Sequence, residues 1–211
     1  VLVLFALHTA APASEAVKLR TDAHPTLGWR LGLGQEFPGA KGELALDASQ
    51  MRGGQPSLKL SGDFSGGGNY VQAGRRLDDV PVRTLSLWLK RAGGDPLTMR
   101  LIDSAGQCHQ IKLAVRDTED WQQLVFPLAA FFARRGQSDA VGGVARYEYW
   151  SGPKDGTWHG PAKGIYLLLG KTERHKKRTM WIGDVTVVPP APEPPTVRAV
   201  EKTVRLDEFP E

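Results

Sequence analysis

Trp88, Arg100, Gln110 and Lys112 combine four side-chain types that together hold a polar ligand. An indole offers a flat apolar face, a guanidinium and an amide offer fixed hydrogen-bond forks, and an ammonium adds charge. The set lacks a nucleophile, a base and paired carboxylates, so its chemistry is recognition rather than reaction. Each residue sits in a stretch of alternating hydrophobicity between residues 84 and 127. Leu85, Leu87 and Leu89 alternate with Ser86, Trp88 and Lys90, while Met99 and Leu101 alternate with Thr98, Arg100 and Ile102. Ile111, Leu113 and Val115 alternate with Gln110, Lys112 and Ala114. Period two is the signature of a strand, whose successive side chains point to opposite faces. The pattern predicts four consecutive strands with one greasy face on the core and one face gathering the polar and aromatic residues into a platform. Tyr70 and Gln72, alternating with Val71 and Ala73, extend it, and Tyr166 between Ile165 and Leu167 reaches the same side.

A second group of chemistry-bearing residues lies in 135–163, the longest stretch without a strand pattern. It holds Tyr147, Tyr149, Trp150, Trp158 and His159, with Glu148 and Asp155. Long loops on a rigid scaffold carry function, but aromatics crowded into a loop also pin it to the scaffold, and both readings stand for Tyr149, Trp150 and Trp158. Glycoside hydrolysis needs two carboxyls at a fixed separation with pKa values pushed apart. Glu148 and Asp155 fall in one loop, where sequence sets no separation. The nucleophile-elbow, zinc-protease and paired-cysteine motifs do not occur. Cys108 is the single cysteine, which excludes an intrachain disulfide. On a strand, Cys108 and His109 point to opposite faces and cannot act as a nucleophile–base pair. Gly170-Lys171-Thr172 resembles the end of a phosphate-binding loop, but position 165 is Ile where that motif needs Gly, and no helix pattern follows.

The elements that must position these residues are short strands. With 24 Gly and 15 Pro in 211 residues, the chain is turn-rich. Strand patterns at Val17–Arg20, Gly28–Gly34, Gly42–Leu46, Ser57–Ser61 and Asn69–Arg76 precede the four-strand block, which ends at Pro127. A helical turn at Leu128–Arg134 follows it, and Gly164–Leu169 and Met180–Val188 close the domain. Short strands at near-regular spacing predict an all-β, two-sheet antiparallel sandwich. The net charge of +4 is small and spread along the chain, and the run Arg174-His175-Lys176-Lys177-Arg178 reads as a solvated hairpin loop rather than a nucleic-acid surface. Residues 1–16 read as the remnant of a secretory signal peptide, VLVLFALHTAAPA being apolar and ending in small residues, with a first buried strand as the alternative. That run is too short for a membrane span. The module is expected over 17–188. From Pro189 the run PPAPEPP reads as a stiff spacer, so 189–211 are expected to be a linker and the start of a next module.

Several strings, in order, carry a resemblance: Phe37-Pro38-Gly39-Ala40-Lys41-Gly42, Gly54-Gln55-Pro56-Ser57-Leu58-Lys59-Leu60, Phe64-Ser65-Gly66-Gly67-Gly68-Asn69-Tyr70, Trp158-His159-Gly160-Pro161 and Met180-Trp181-Ile182-Gly183-Asp184-Val185. Their order resembles the galactose-binding-like, jelly-roll carbohydrate-binding modules found next to the catalytic domains of secreted bacterial glycoside hydrolases. The resemblance implies a secreted or periplasmic, non-catalytic module that holds a polysaccharide or oligosaccharide for a C-terminal catalytic domain. It implies sugar contacts at Trp88, Tyr70, Gln72, Arg100, Gln110 and Lys112, with Tyr149, Trp150 and Trp158 as further candidates. It also implies one structural calcium, with Asp184 on the last strand and Asp47 as ligands, although Val17–Arg20 lacks the first-strand acid of the pattern. The alternative is a structural spacer that packs on a catalytic domain and has no sugar site of its own.

Overall fold

The structure, a computed structural model, describes residues 14–92, 97–113, 115, 118–128 and 144–191. In these it forms β1 (Val17–Lys18), β2 (Arg30–Gly32), β3 (Lys41–Arg52), β4 (Gln55–Asp63), β5 (Tyr70–Val80), β6 (Thr84–Ala92), β7 (Leu97–Asp103), β8 (Cys108–Leu113), β9 (Thr118–Pro127), β10 (Val144–Trp150), β11 (Ala162–Gly170) and β12 (Lys177–Val188). Two six-stranded sheets result. The first runs β3-β4-β12-β6-β9 with β1 against β12, and the second runs β10-β8-β7-β11-β5-β2. Every pairing is antiparallel. Among the described residues no helix is long and apolar enough to cross a membrane.

Alternation builds the core. Leu58, Leu60, Leu85, Leu87, Leu89, Met180 and Ile182 from the first sheet meet Val71, Ala73, Met99, Leu101, Ile111, Ile165 and Leu167 from the second, all buried. Face-to-face sheets pack about 10 Å apart, so two layers of such side chains fill the gap. Burying each Leu or Ile contributes about 2 kcal/mol, which makes the inward positions the ones the sequence marks most strongly.

Three sequence expectations change. The strands of 84–127 do not share one sheet: β6 and β9 pair in the first, β7 and β8 in the second. Leu85, Leu87, Leu89, Met99, Leu101, Ile111 and Phe126 point inward, but the polar alternates emerge on opposite sides of the sandwich. Alternation shows which side chains are buried and is silent on which sheet a strand joins. Trp88 therefore stands on the first sheet's outer face, and Arg100, Gln110 and Lys112 on the second's. Within 135–163, residues Val144–Trp150 are the edge strand β10, paired with β8. Finally, β11 and β12 belong to different sheets, so 171–176 link the two layers instead of closing a hairpin. Residues 171 and 173–176 are exposed, whereas Arg178 is buried at the start of β12. Residues 1–13, most of the expected helical turn and the segment from 192 onward lie outside the described residues.

Candidate functional site

The outer face of the second sheet brings together most of the expected contact residues. Tyr166 pairs with Arg100, Arg100 with Gln110, and Gln110 with Glu148, one row across β11, β7, β8 and β10. Period two turns the whole row outward. In the adjacent row Cys108 pairs with Trp150. Arg100 is central: its Nε donates to Gln110 Oε1 at 2.8 Å and its Nη1 to the Tyr70 hydroxyl at 3.2 Å. Its guanidinium carbon lies 4.9 Å from the Tyr70 ring centre and 5.4 Å from that of Trp150, within cation–π range on both sides. Beside it opens a trough of about 340 Å³ lined by Gln72, Arg100, Ile102, Gly106, Cys108, Trp150, Ser151 and Tyr166.

Glycines make the floor. Gly74 faces Tyr166 across β5 and β11. A Cβ there would sit 2.6 Å from the Tyr166 ring, and one at Gly32 would sit 2.7 Å from the Gln72 amide. Only a residue without a side chain lets the ring and the amide lie against the sheet, a regular use of Gly inside a strand.

The electrostatics follow from these contacts. Tyr70 donates to Glu36 Oε1, and that hydrogen bond holds the Glu36 carboxyl below its ordinary value. Burial, reinforced by the bond to Glu36, raises the Tyr70 phenol. Gln110 Nε2 donates to Glu148 Oε2 at 2.6 Å. Burial pushes the Cys108 thiol up to about 12, so it stays protonated and is a poor nucleophile. The face was expected to lack carboxylates, yet the fold delivers Glu36 from the loop after β2 and Glu148 from β10. Both are held as hydrogen-bond acceptors, and Glu36 is favoured in its ionised form, unlike a general acid. Asp155, the other imagined half of a hydrolytic pair, accepts from Thr157 N, Gln107 and His159 in a separate cluster.

The remaining expected residues lie elsewhere. Lys112 shares the face one row away from Gln110 and does not line the trough. Trp88, on the opposite side of the sandwich, is covered by the Arg52 guanidinium at 3.6 Å from its ring centre. Tyr149 points to the other side of β10 from Trp150, packs beside Tyr147 with ring centres 5.9 Å apart, and stays 42% exposed. Trp158 packs on the core, its ring 5.2 Å from His109, and acts as a pin for its loop. Asp47 lies within β3 rather than opening a loop, and accepts from Ser49 and from Trp181 Nε1 at 2.8 Å. Asp184 pairs with Lys18 at 3.3 Å. Among the described residues no three His, Cys, Asp or Glu side chains gather as a metal ligand set. Asp184 is engaged by a cation and Asp47 by hydrogen-bond donors, and a calcium there would need further oxygens from backbone carbonyls or water.

Beneath β10 lies a buried polar cluster that sequence reasoning missed. Asp103 and His109 are both 0% exposed, with His109 Nε2 3.1 Å from Asp103 Oδ2 and Nδ1 2.7 Å from the Tyr147 hydroxyl. Burial holds the imidazole below its ordinary value, against the opposing pull of Asp103. The unfolded chain therefore binds this proton near pH 6.5 and the folded chain only at lower pH. Stability is thus present in full above about pH 6.5 and is lost as pH falls below it toward the folded value. The expected result is a thermal midpoint lower at pH 5 than at pH 7.5 in the wild type, with the slope flattened in His109→Gln. Equal midpoints across that range in the wild type would contradict it.

No family model matches the sequence, and no curated protein is similar to it. Structural likeness does appear. A β-1,2-glucanase from Parabacteroides distasonis aligns with 84% of this chain at 14% identity and a TM-score of 0.52. An exo-β-agarase aligns with 86% at 13% identity and a TM-score of 0.50. The chain spans 25% of each enzyme's length. A family 30 carbohydrate-binding module is 15% identical over 92% of this chain and 95% of its own, with a TM-score of 0.49. At these identities the likeness to the two enzymes establishes the architecture alone: an all-β sandwich of two antiparallel sheets, of the kind found in one quarter of each enzyme.

Proposed function

We propose that the chain is an exported, non-catalytic carbohydrate-binding module that holds a polysaccharide for an appended glycoside hydrolase. The observation that carries this reading is Arg100 fixed between the Tyr70 and Trp150 rings beside an open trough. Sugars present C–H faces that pack on aromatic rings, and hydroxyls that need planar guanidinium and amide partners. Trp150, Tyr166, Arg100 and Gln72 offer both kinds of surface within one recess, with Gln110 bracing Arg100 from behind. In this reading Tyr70 and Glu36 position Arg100, Trp150 closes the trough at its edge, and Trp88, Tyr149 and Trp158 lie outside the contact set. The spacer reading draws on the other side of the molecule, where Trp88 under Arg52 and Trp181 near Lys90 make an aromatic, cationic surface suited to a partner domain. In that reading the sandwich only packs on a catalytic domain and the trough holds no sugar.

Calorimetric titration against a panel of soluble glycans tests the proposal. At least one glycan binds the wild type, and Trp150→Ala weakens it by on the order of 10-fold, the worth of one aromatic platform. Failure to bind any glycan, or unchanged affinity in Trp150→Ala, overturns the site.

A further inference from the structure

We infer that this face selects neutral, hydroxyl-bearing glycans and discriminates against acidic ones; the inference rests on the carbohydrate reading of the same site. The positive charge of Arg100 is already answered. Each of its two acceptors passes a hydrogen bond on to a carboxylate: Gln110 to Glu148 at 2.6 Å, and Tyr70 to Glu36. Glu36 and Glu148 thus stand two hydrogen bonds from the guanidinium, one behind each of its acceptors. A uronate or sulfate brought to Arg100 enters between two like charges, whereas a hydroxyl carries no such penalty. Arg100 also lowers the Glu36 carboxyl through space, which puts the two groups within electrostatic reach.

The trough itself points the same way. Gln72 Oε1 is buried without a hydrogen-bond partner, although the amide lines the recess. A hydroxyl donates to its oxygen or accepts from its nitrogen, while a carboxylate or sulfate serves only the nitrogen. Among the described residues Arg100 is the only cation lining the recess, and Cys108, Ile102, Trp150 and Tyr166 complete its walls with uncharged groups. Lys112 is on the face but outside the recess.

The test is a calorimetric comparison of two probe sets: neutral β-glucan and agarose-derived oligosaccharides, and oligogalacturonates of matched length. A neutral oligosaccharide is expected to bind at least about 10-fold more tightly than the oligogalacturonate. Its affinity should change less than about twofold between about 0.1 and 1 M salt, where the Debye length falls from about 10 to 3 Å. The Glu36→Gln/Glu148→Gln variant, isosteric at both positions, should narrow the preference by about fivefold, and Glu36→Gln alone by a smaller factor. Tighter or equal binding of the oligogalacturonate overturns this inference while leaving the carbohydrate reading intact, as does an unaltered preference in both variants. Binding of neither probe set, nor of any other glycan, removes the carbohydrate reading and this inference together.

Discussion

An Arg100→Ala variant is expected to bind glycan on the order of 100-fold more weakly than the wild type while keeping its fold. The guanidinium lies over the Tyr70 and Trp150 rings and donates to Gln110 and to the Tyr70 hydroxyl. Its removal deletes a charged donor, worth about 1.5–3 kcal/mol in a hydrogen bond to ligand. It also deletes two cation–π contacts of about 0.5–1 kcal/mol each, and with them the positions of Tyr70 and Trp150. Roughly 3 kcal/mol in total corresponds to the stated factor. Gln110 and Tyr70 are buried, but each keeps its hydrogen bond to a carboxylate, Glu148 and Glu36, so the fold survives at a moderate stability cost of about 1–3 kcal/mol. Arg100→Lys keeps the charge but not the fork, and should recover only part of the affinity. Trp88→Ala, on the far sheet, should leave glycan affinity unchanged. Titration of the three variants beside far-ultraviolet circular dichroism checks the set; full affinity in Arg100→Ala would reject the arrangement.

The largest effect on stability is expected from Asp103→Ala. This carboxylate is fully buried and accepts from Gln107 N at 2.8 Å, His159 N at 3.1 Å and His109 Nε2 at 3.1 Å. Alanine leaves two backbone N–H groups and an imidazole without their acceptor in a dry interior, a cost of about 3–5 kcal/mol. For a domain of this size that lowers the thermal midpoint by roughly 10 °C. The loss also unties the segment from Ser151 to His159, which Gln107 and Asp103 hold through Thr157 O, Gly156 N and His159 N. Because Trp150 precedes that segment, glycan affinity should fall along with stability. Scanning calorimetry of Asp103→Ala against Asp155→Ala, whose carboxylate is largely exposed, separates the buried anchor from a surface contact. Equal midpoints for the two variants would contradict the assignment.

The alternation of Leu85, Leu87 and Leu89, of Met99 and Leu101, and of Val71 and Ala73 was enough to read an all-β sandwich, because burial imposes a period of two on each strand independently. The same signal could not assign strands to sheets. That depends on pairings such as β6 with β12 and β7 with β11, formed between residues about 100 and 65 positions apart, which leave no local trace. Hence period two alone places Trp88 with Arg100, and β10, with an aromatic on each face, carries no alternation to mark it as a strand. Gly74 and Gly32 were legible in hindsight: glycine within a strand marks a close approach, and each underlies a side chain of the site. Glu36 carried no such signal, since a carboxylate in a turn reads as solvated. Asp103 ends its strand before a Ser-Ala-Gly turn and bonds Gln107 N across it, but its second oxygen serves a loop more than 50 residues away.

The passage of the chain from β6 in one sheet to β7 in the other has a thermodynamic consequence. Trp88 and Arg100 are twelve positions apart in sequence, yet a full hydrophobic core of about 10 Å separates their sheets. Groups that far apart with no shared partner change free energy additively. A double-mutant cycle between them should close with no coupling energy, so the two outer surfaces can be varied, selected or engineered as independent variables on one scaffold.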